Sequence, residues 1–538
     1  MELDHDPIHS GSCLAALLRG VVAAASRGKL VCAILVLFLS VSCQNRDVEA
    51  QAEAARAMEL LEQNRIAEAR IAINRALLLR DDVADFHIAR GRIELSAGTN
   101  SAAFDAYLDA LALDATNREA LQAVSQLGLQ TGYFRQSLKA TDTLVLLNPG
   151  DTNALITRGI HSLLSARLDE ASEYASRALA VDPDSEEAMI LRSRVMYMKG
   201  NNQEALDLLA QHSREREPSV GIALMRLELF RAERDPAGME AQFEALETAG
   251  QRTWQLGLDE ANFLFKLGRR GEALDLTVDL LASPDLTREA SEEAMALWDV
   301  WKVTDLPDQA LARISAEGAP SARYSVAKYL ARQSALSSAG QIAGSLKGDD
   351  REAVQALIDL RSGRTSEAAR RAAGILERDE SHCLALEVQA HENLGQGKAR
   401  EALSAAQQLA AQCPGESAGW LVAADAYALL SDPENGRRVL QQGAEANPQD
   451  FSYVAEHTQW LREQGRKREA LAAARRLTRN SPAMIRGWEL YRDLCSNAAD
   501  PCVADAERGL TDSQTRYWID YKPGENAPPS LFARLKDI

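Results

Sequence analysis

His382, Cys383 and His391 are the residues best suited by type to hold a metal ion in this 538-residue chain. Their spacing argues against that role. On one continuous helix, positions nine apart point about 180° away from each other, at about 100° per residue. The chain holds no glycine-rich phosphate loop, no histidine pair of zinc-protease spacing and no nucleophile elbow. Glu and Asp pairs are plentiful, but they sit at helical surface spacings where solvated i,i+4 contacts account for them. No catalytic residue, metal, cofactor or small-molecule substrate is expected.

One cysteine has a different setting. Leu30 to Val41 is an unbroken apolar run preceded by Arg27 and Lys29. Twelve residues span about 18 Å as a helix, against a hydrocarbon core of about 30 Å. That length suits the central region of a secretory signal, with an uncleaved anchor as the alternative. The run ends Leu39-Ser40-Val41-Ser42-Cys43-Gln44. This resembles the bacterial lipobox, although Ser40 stands where that pattern has Leu, Val or Ile. The resemblance implies lipidation at Cys43, with simple cleavage to a soluble periplasmic product as the second reading. Gln44 is not the aspartate that retains such proteins at the inner membrane, so the resemblance implies the outer membrane.

Seven cysteines stand at 13, 32, 43, 383, 413, 495 and 502. Setting aside the first three leaves four in the folded part, and export permits disulfides. Cys495 and Cys502 bracket the polar loop SNAADP. Cys383 and Cys413 open and close one helical hairpin, whose antiparallel geometry brings its ends to one edge. Disulfides Cys495–Cys502 and Cys383–Cys413 are expected, with small buried thiols as the alternative.

The elements that would position these residues follow a ruler. Pro149 and Pro183 lie 34 residues apart, as do Pro414, Pro448 and Pro482. Glycines keep the same interval at Gly98 and Gly132, with Gly200 two intervals on, and again at Gly363, Gly397 and Gly465. A stack of similar helical pairs produces such a period and a single globular core does not. Hydrophobic residues make up 46% of the chain but aromatics only 5%, and Ala and Leu fill most apolar positions, which favours packed helices. The net charge is −18. Residues 1–43 hold three bases and three acids, so the whole excess of acid lies in the rest of the chain. An acidic surface repels phosphates, which excludes nucleic acid as a partner and otherwise keeps a large surface soluble.

Units begin near Ala50, Ala84, Arg118, Thr152 and Glu186, and again near Asp349, Cys383, Ser417 and Phe451. In the unit ADFHIARGRIELSAGTNSAAFDAYLDALALDATN, Gly91, Gly98, Ala103, Tyr107 and Ala110 resemble the tetratricopeptide repeat at its eighth, fifteenth, twentieth, twenty-fourth and twenty-seventh positions. Small residues at the eighth and twentieth let the two helices cross closely. The resemblance implies an all-α fold, an α-solenoid of tetratricopeptide-type helical hairpins in a right-handed superhelix.

The organisation expected is a signal peptide over 1–42, a tether over 43–49, a first array over 50–219 and a degenerate hairpin segment over 220–348. A second array over 349–484, capping helices over 485–510 and an extended or disordered tail over 511–538 follow. Phase is read as lost from Pro218 to about Asp349.

The family lines its concave groove with the second, fifth, ninth, twelfth and thirteenth positions of the first helix in each repeat. By register these give Asp85, Arg92, Gln122, Gln126, Arg194 and Tyr197 in the first array. They give Glu387, His391, Asp425, Gln459, Arg462 and Glu463 in the second. Simple solvated faces are the alternative. The function expected is a non-catalytic protein-binding scaffold, exported and lipid-anchored, like bacterial envelope tetratricopeptide lipoproteins. Its partners would be envelope assembly or secretion components. The competing reading is a cytoplasmic or inner-membrane-anchored regulatory adaptor.

Overall fold

The computed structural model describes residues 29–212, 219–495 and 501–516, with side chains from residue 46 onward. Among them every regular element is a helix. Two compact units emerge, Met1–Met225 and Arg226–Ile538, called unit 1 and unit 2 below. Each is an α-solenoid of antiparallel helical pairs. The first helix, Lys29–Glu62, runs without a break through positions 43–49.

Helices begin at Ala84, Arg118, Thr152 and Glu186, where the ruler puts the repeats. A polar residue stands just before three of them. Asn117, Asp151 and Ser185 accept from the backbone N–H groups of Ala120, Ala154 and Ala188 at 3.1 to 3.3 Å. Each satisfies one of the donors that a helix start leaves open. The close crossing between paired helices is visible at Gly91. A Cβ there would lie 2.6 Å from the ring of Tyr107, so the eighth position must be glycine while the twenty-fourth is an aromatic. Phe104, Tyr107, Leu121, Val124 and Leu144 are buried together around that crossing.

The structure corrects the expected loss of phase at Pro218. Helices start at Val220, Trp254 and Arg288, which continues the 34-residue interval from Glu186. The turn inside each pair shows the same ladder in its backbone. Asn64, Gly98, Gly132, Ala166, Gly200, Arg234, Gly268 and Lys302 all have φ between 50° and 84°. Glycine is the usual bearer of that conformation, and its absence at Arg234 and Lys302 hid two turns from a search for glycine. The break is shorter and later. From Lys302 the next left-handed turns inside a helical pair are Ser334 and Gly363, at intervals of 32 and 29, before Gly397, Ser431 and Gly465 restore 34. The short helix Leu336–Ala343 lies in this compressed stretch.

Unit 2 joins the stretch 226–348 to the second array in one compact body. Trp298, Phe243, Phe263 and Tyr453 are its largest fully buried side chains. Val300 packs against the cluster of Tyr453, Trp460 and Leu461 from the second array. Lys266 Nζ donates to the carbonyl of Ser513 at 2.7 Å, and Arg234 Nη1 to Thr515 Oγ1 at 2.9 Å. The first hairpins of unit 2 therefore touch its last helix.

Candidate functional site

Helix periodicity sorts the expected groove residues of unit 1 into presented and packed ones. Asp85, Arg92, Gln126 and Tyr197 are exposed, and Gln122 is half-buried. Arg92 Nε donates to Glu119 Oε1 at 2.6 Å, bridging to the next repeat. Arg194 is buried, with Nη2 3.8 Å from Met225 Sδ, so it packs between helices and is not presented. Four apolar side chains stand exposed in the same register. Leu95 and Tyr197 occupy the twelfth position of their repeats, and Leu164 and Met198 the thirteenth. A selection for polar types missed Leu95, Leu164 and Met198, although the ruler already marked their positions.

Other polar groups of unit 1 are structural. Arg158 is buried and bonds Asp142 Oδ1, Glu170 Oε1 and Ser162 Oγ, each at 2.7 Å. Beside it, His161 Nε2 lies 2.8 Å from Ser137 Oγ. Burial, then the Arg158 charge, pushes that imidazole down to about 4, so it is neutral at physiological pH.

The inner helices of unit 2 are braced against one another. Glu387 is buried and its carboxylate accepts from Arg332. Arg332 also donates to Glu416 at 2.7 Å, and Lys328 Nζ donates to the other oxygen of Glu416 at 2.7 Å. The charges of Arg332, then Lys328, hold the Glu416 carboxyl far below the usual range despite its burial. Burial works against the charge of Arg332, but Glu387 and Glu416 outweigh it and raise its pKa. A second brace sits at Asp299, which accepts from Ser452 Oγ at 2.9 Å and from Gln333 Nε2 at 3.1 Å. Arg486 donates to the Asp299 carbonyl and stacks 3.7 Å above the Phe451 ring. Sequence reasoning missed Lys328, Arg332 and Glu416. The first two lie one turn apart on Pro320–Arg332 in the compressed stretch, and the third stands just before Ser417–Leu429.

The remaining expected residues gather differently. His391 is half-buried, and burial lowers its pKa. Asp425 reaches solvent at the recessed inner face, where burial, then the neighbouring Glu463, raises its pKa. Gln459 Nε2 donates to Glu463 Oε1 at 2.7 Å, and Arg462 is exposed. His382 turns its ring onto its own helix start, accepting from Ala385 N–H at 3.4 Å. Among the described residues no group of three His, Cys, Asp or Glu side chains could hold a metal.

Cys383 is bonded to Cys413, with Cα atoms 6.2 Å apart, and Cys495 to Cys502 at 6.0 Å. Cys43 lies in Lys29–Glu62 at a position whose side chain is outside the described residues, as are residues 1–28 and 517–538. Among the described residues no helix is long and apolar enough to cross a membrane.

Residues 54–118 and 163–219 match the tetratricopeptide repeat family model. The chain carries tetratricopeptide repeats. Its tetratricopeptide fold is similar to solved structures of low identity. One is pilF of Pseudomonas aeruginosa, 16% identical, covering 39% of this chain and 96% of that one with a TM-score of 0.32. Another is a tetratricopeptide repeat protein of Parabacteroides merdae, at 17%, 49%, 97% and 0.38 in the same order. A third is PilW, described as a type IV pilus biogenesis factor, at 17%, 38%, 96% and 0.33. No curated protein matches the chain. Beyond the matched stretches, the left-handed turn at the fifteenth position marks tetratricopeptide-type pairs as far as Gly465.

Proposed function

We propose that this protein is a non-catalytic protein-binding scaffold that uses the inner face of unit 1. One observation carries the reading: Arg92, Leu95, Gln126, Leu164 and Tyr197 stand exposed at the groove positions of successive repeats. Mixed apolar and hydrogen-bonding side chains at a regular spacing suit a partner polypeptide laid along the repeats. The acidic balance of the chain disfavours nucleic acid.

The leader supports an exported form anchored by lipid at Cys43. In that setting the partners are components of an envelope assembly or secretion apparatus, for pili, exopolysaccharide or outer-membrane proteins. The unbroken helix Lys29–Glu62 favours a second reading. In it, residues 30–42 stay attached and the protein is a cytoplasmic or inner-membrane-anchored regulatory adaptor.

Cell fractionation with mass spectrometry of the N-terminus separates the two. A lipidated Cys43 in the outer membrane is expected, and an unprocessed leader on a cytoplasmic product would reject export. For the groove, co-purification with the intact chain is compared with Leu164→Asp and Tyr197→Ala variants. Loss of the same partners from both is expected, and full retention by both would remove unit 1 from the interface.

A further inference from the structure

We propose that the Cys383–Cys413 bridge is a redox-controlled lock on the inner face of unit 2. Both carboxylates that hold Arg332 hang from this bridge. Glu387 lies one helical turn beyond Cys383 on Cys383–Gly395, and Glu416 lies three residues beyond Cys413. Arg332 reaches them from a helix 55 and 84 residues earlier in the chain. A bond at one edge of the repeat thus sets the position of an ion-pair clamp that closes the inner face. Glu416 is the movable half. It precedes Ser417–Leu429 in a short connection, held locally by its own N–H on the Cys413 carbonyl at 2.9 Å. Trp420 Nε1 and Asn447 Nδ2 add bonds to the Pro414 carbonyl at 3.1 and 3.4 Å. Glu387 sits mid-helix and is buried, so it stays.

Both cysteines are half-buried at the edge of the repeat, within reach of a soluble reductant. A dithiol supplies two electrons and two protons. The Sγ–Sγ bond breaks into two thiols while the dithiol closes to its own disulfide. Without the bridge, the connection 413–416 is free to move away from Pro320–Arg332. Lys328 then loses its carboxylate, Arg332 keeps one of two, and the inner face of unit 2 opens with exposed positive charge. The lock is independent of whether unit 1 binds a partner, and its test reads no partner.

Hydrogen exchange by mass spectrometry on the full chain compares the oxidised protein, the dithiol-treated protein and a Cys383→Ser/Cys413→Ser double variant. The double variant separates this bridge from Cys495–Cys502. Amides of 413–419 and 326–332 are expected to accelerate about tenfold or more beyond any acceleration of 451–463 once the bridge is open. Glu416→Gln, with the bridge intact, should release 326–332 in the same way. Uniform acceleration across 349–480 would make the bridge a general stabiliser and overturn the lock. Unchanged exchange at 326–332, on reduction or in Glu416→Gln, would overturn it as well.

Discussion

Unit 1 and unit 2 are built from the same helical pair and use it differently. In unit 1 the ion pairs stay within a repeat, as Arg65–Glu68 does, or join neighbouring repeats, as Arg70–Glu94, Arg92–Glu119 and Lys199–Asp169 do. Such a ladder leaves its inner face available. Unit 2 adds ties between distant repeats: Lys328–Glu416, Arg332–Glu387, Ser452–Asp299 and Lys266 to the Ser513 carbonyl. It also carries both disulfides. Solenoid stability is close to a sum of neighbour terms, and each distant tie makes unit 2 depart from that sum. The lesson is that a few residues outside the repeat pattern decide whether a repeat array presents a surface or closes on itself.

The comparison is open to measurement because all seven tryptophans lie beyond residue 225. Tryptophan fluorescence therefore follows unit 2, while far-ultraviolet circular dichroism follows both. The largest effect should come from opening Cys383–Cys413, which spans 30 residues. The chain-entropy model gives about 3–4 kcal/mol for a loop of that size. The urea midpoint read by tryptophan should fall, with the unit 1 transition unmoved. A shared shift would mean that the two units unfold together.

Next is Glu387→Ala, which leaves Arg332 inside unit 2 with one carboxylate fewer. Its cost should be about 2–4 kcal/mol, again visible by tryptophan. The matching change in unit 1, Arg92→Ala, removes a pair with half-exposed partners and should cost less than about 1 kcal/mol. Equal costs would erase the distinction between braced and open inner faces.

Acid should act on both units, through His161 in unit 1 and through His457, with His391, in unit 2. His161 in unit 1 and His457 in unit 2 are pushed by burial from the ordinary 6.5 down to about 4. Above pH 6.5 both states are neutral and nothing is lost. Between 6.5 and about 4 the unfolded chain takes up protons that the folded chain refuses, so stability falls with pH. His161→Gln should flatten the dichroism-detected slope without altering the tryptophan-detected one.

The smallest effects come from the turns. Ala166 in unit 1 and Lys302 in unit 2 hold φ of 55° and 50°. Replacing each by glycine relieves the left-handed backbone at some entropic cost, for a net gain of about 0.5–1 kcal/mol. A loss at either position, in thermal melts, would mean that the side chain contributes packing that outweighs its backbone strain.

The sequence alone determined the helical class, the period and the helix starts at Ala84, Arg118, Thr152 and Glu186. These are local matters: glycine at a left-handed turn, a small residue at a close crossing, a polar cap at a helix start. The same local logic reaches further than a glycine ruler. Ser219, Thr253 and Thr287 cap helices 34 residues apart through the stretch where the phase looked lost, accepting from Ile222, Leu256 and Ala290 N–H. Tertiary structure alone decided which groove residues face solvent, because Arg194 and Arg92 share one register position and only packing buries the first. It also decided the braces of unit 2. Arg332 comes from one repeat, and Glu387 and Glu416 from the two ends of another. No periodic pattern links them, since a period encodes what each repeat shares and a brace is made of what they do not.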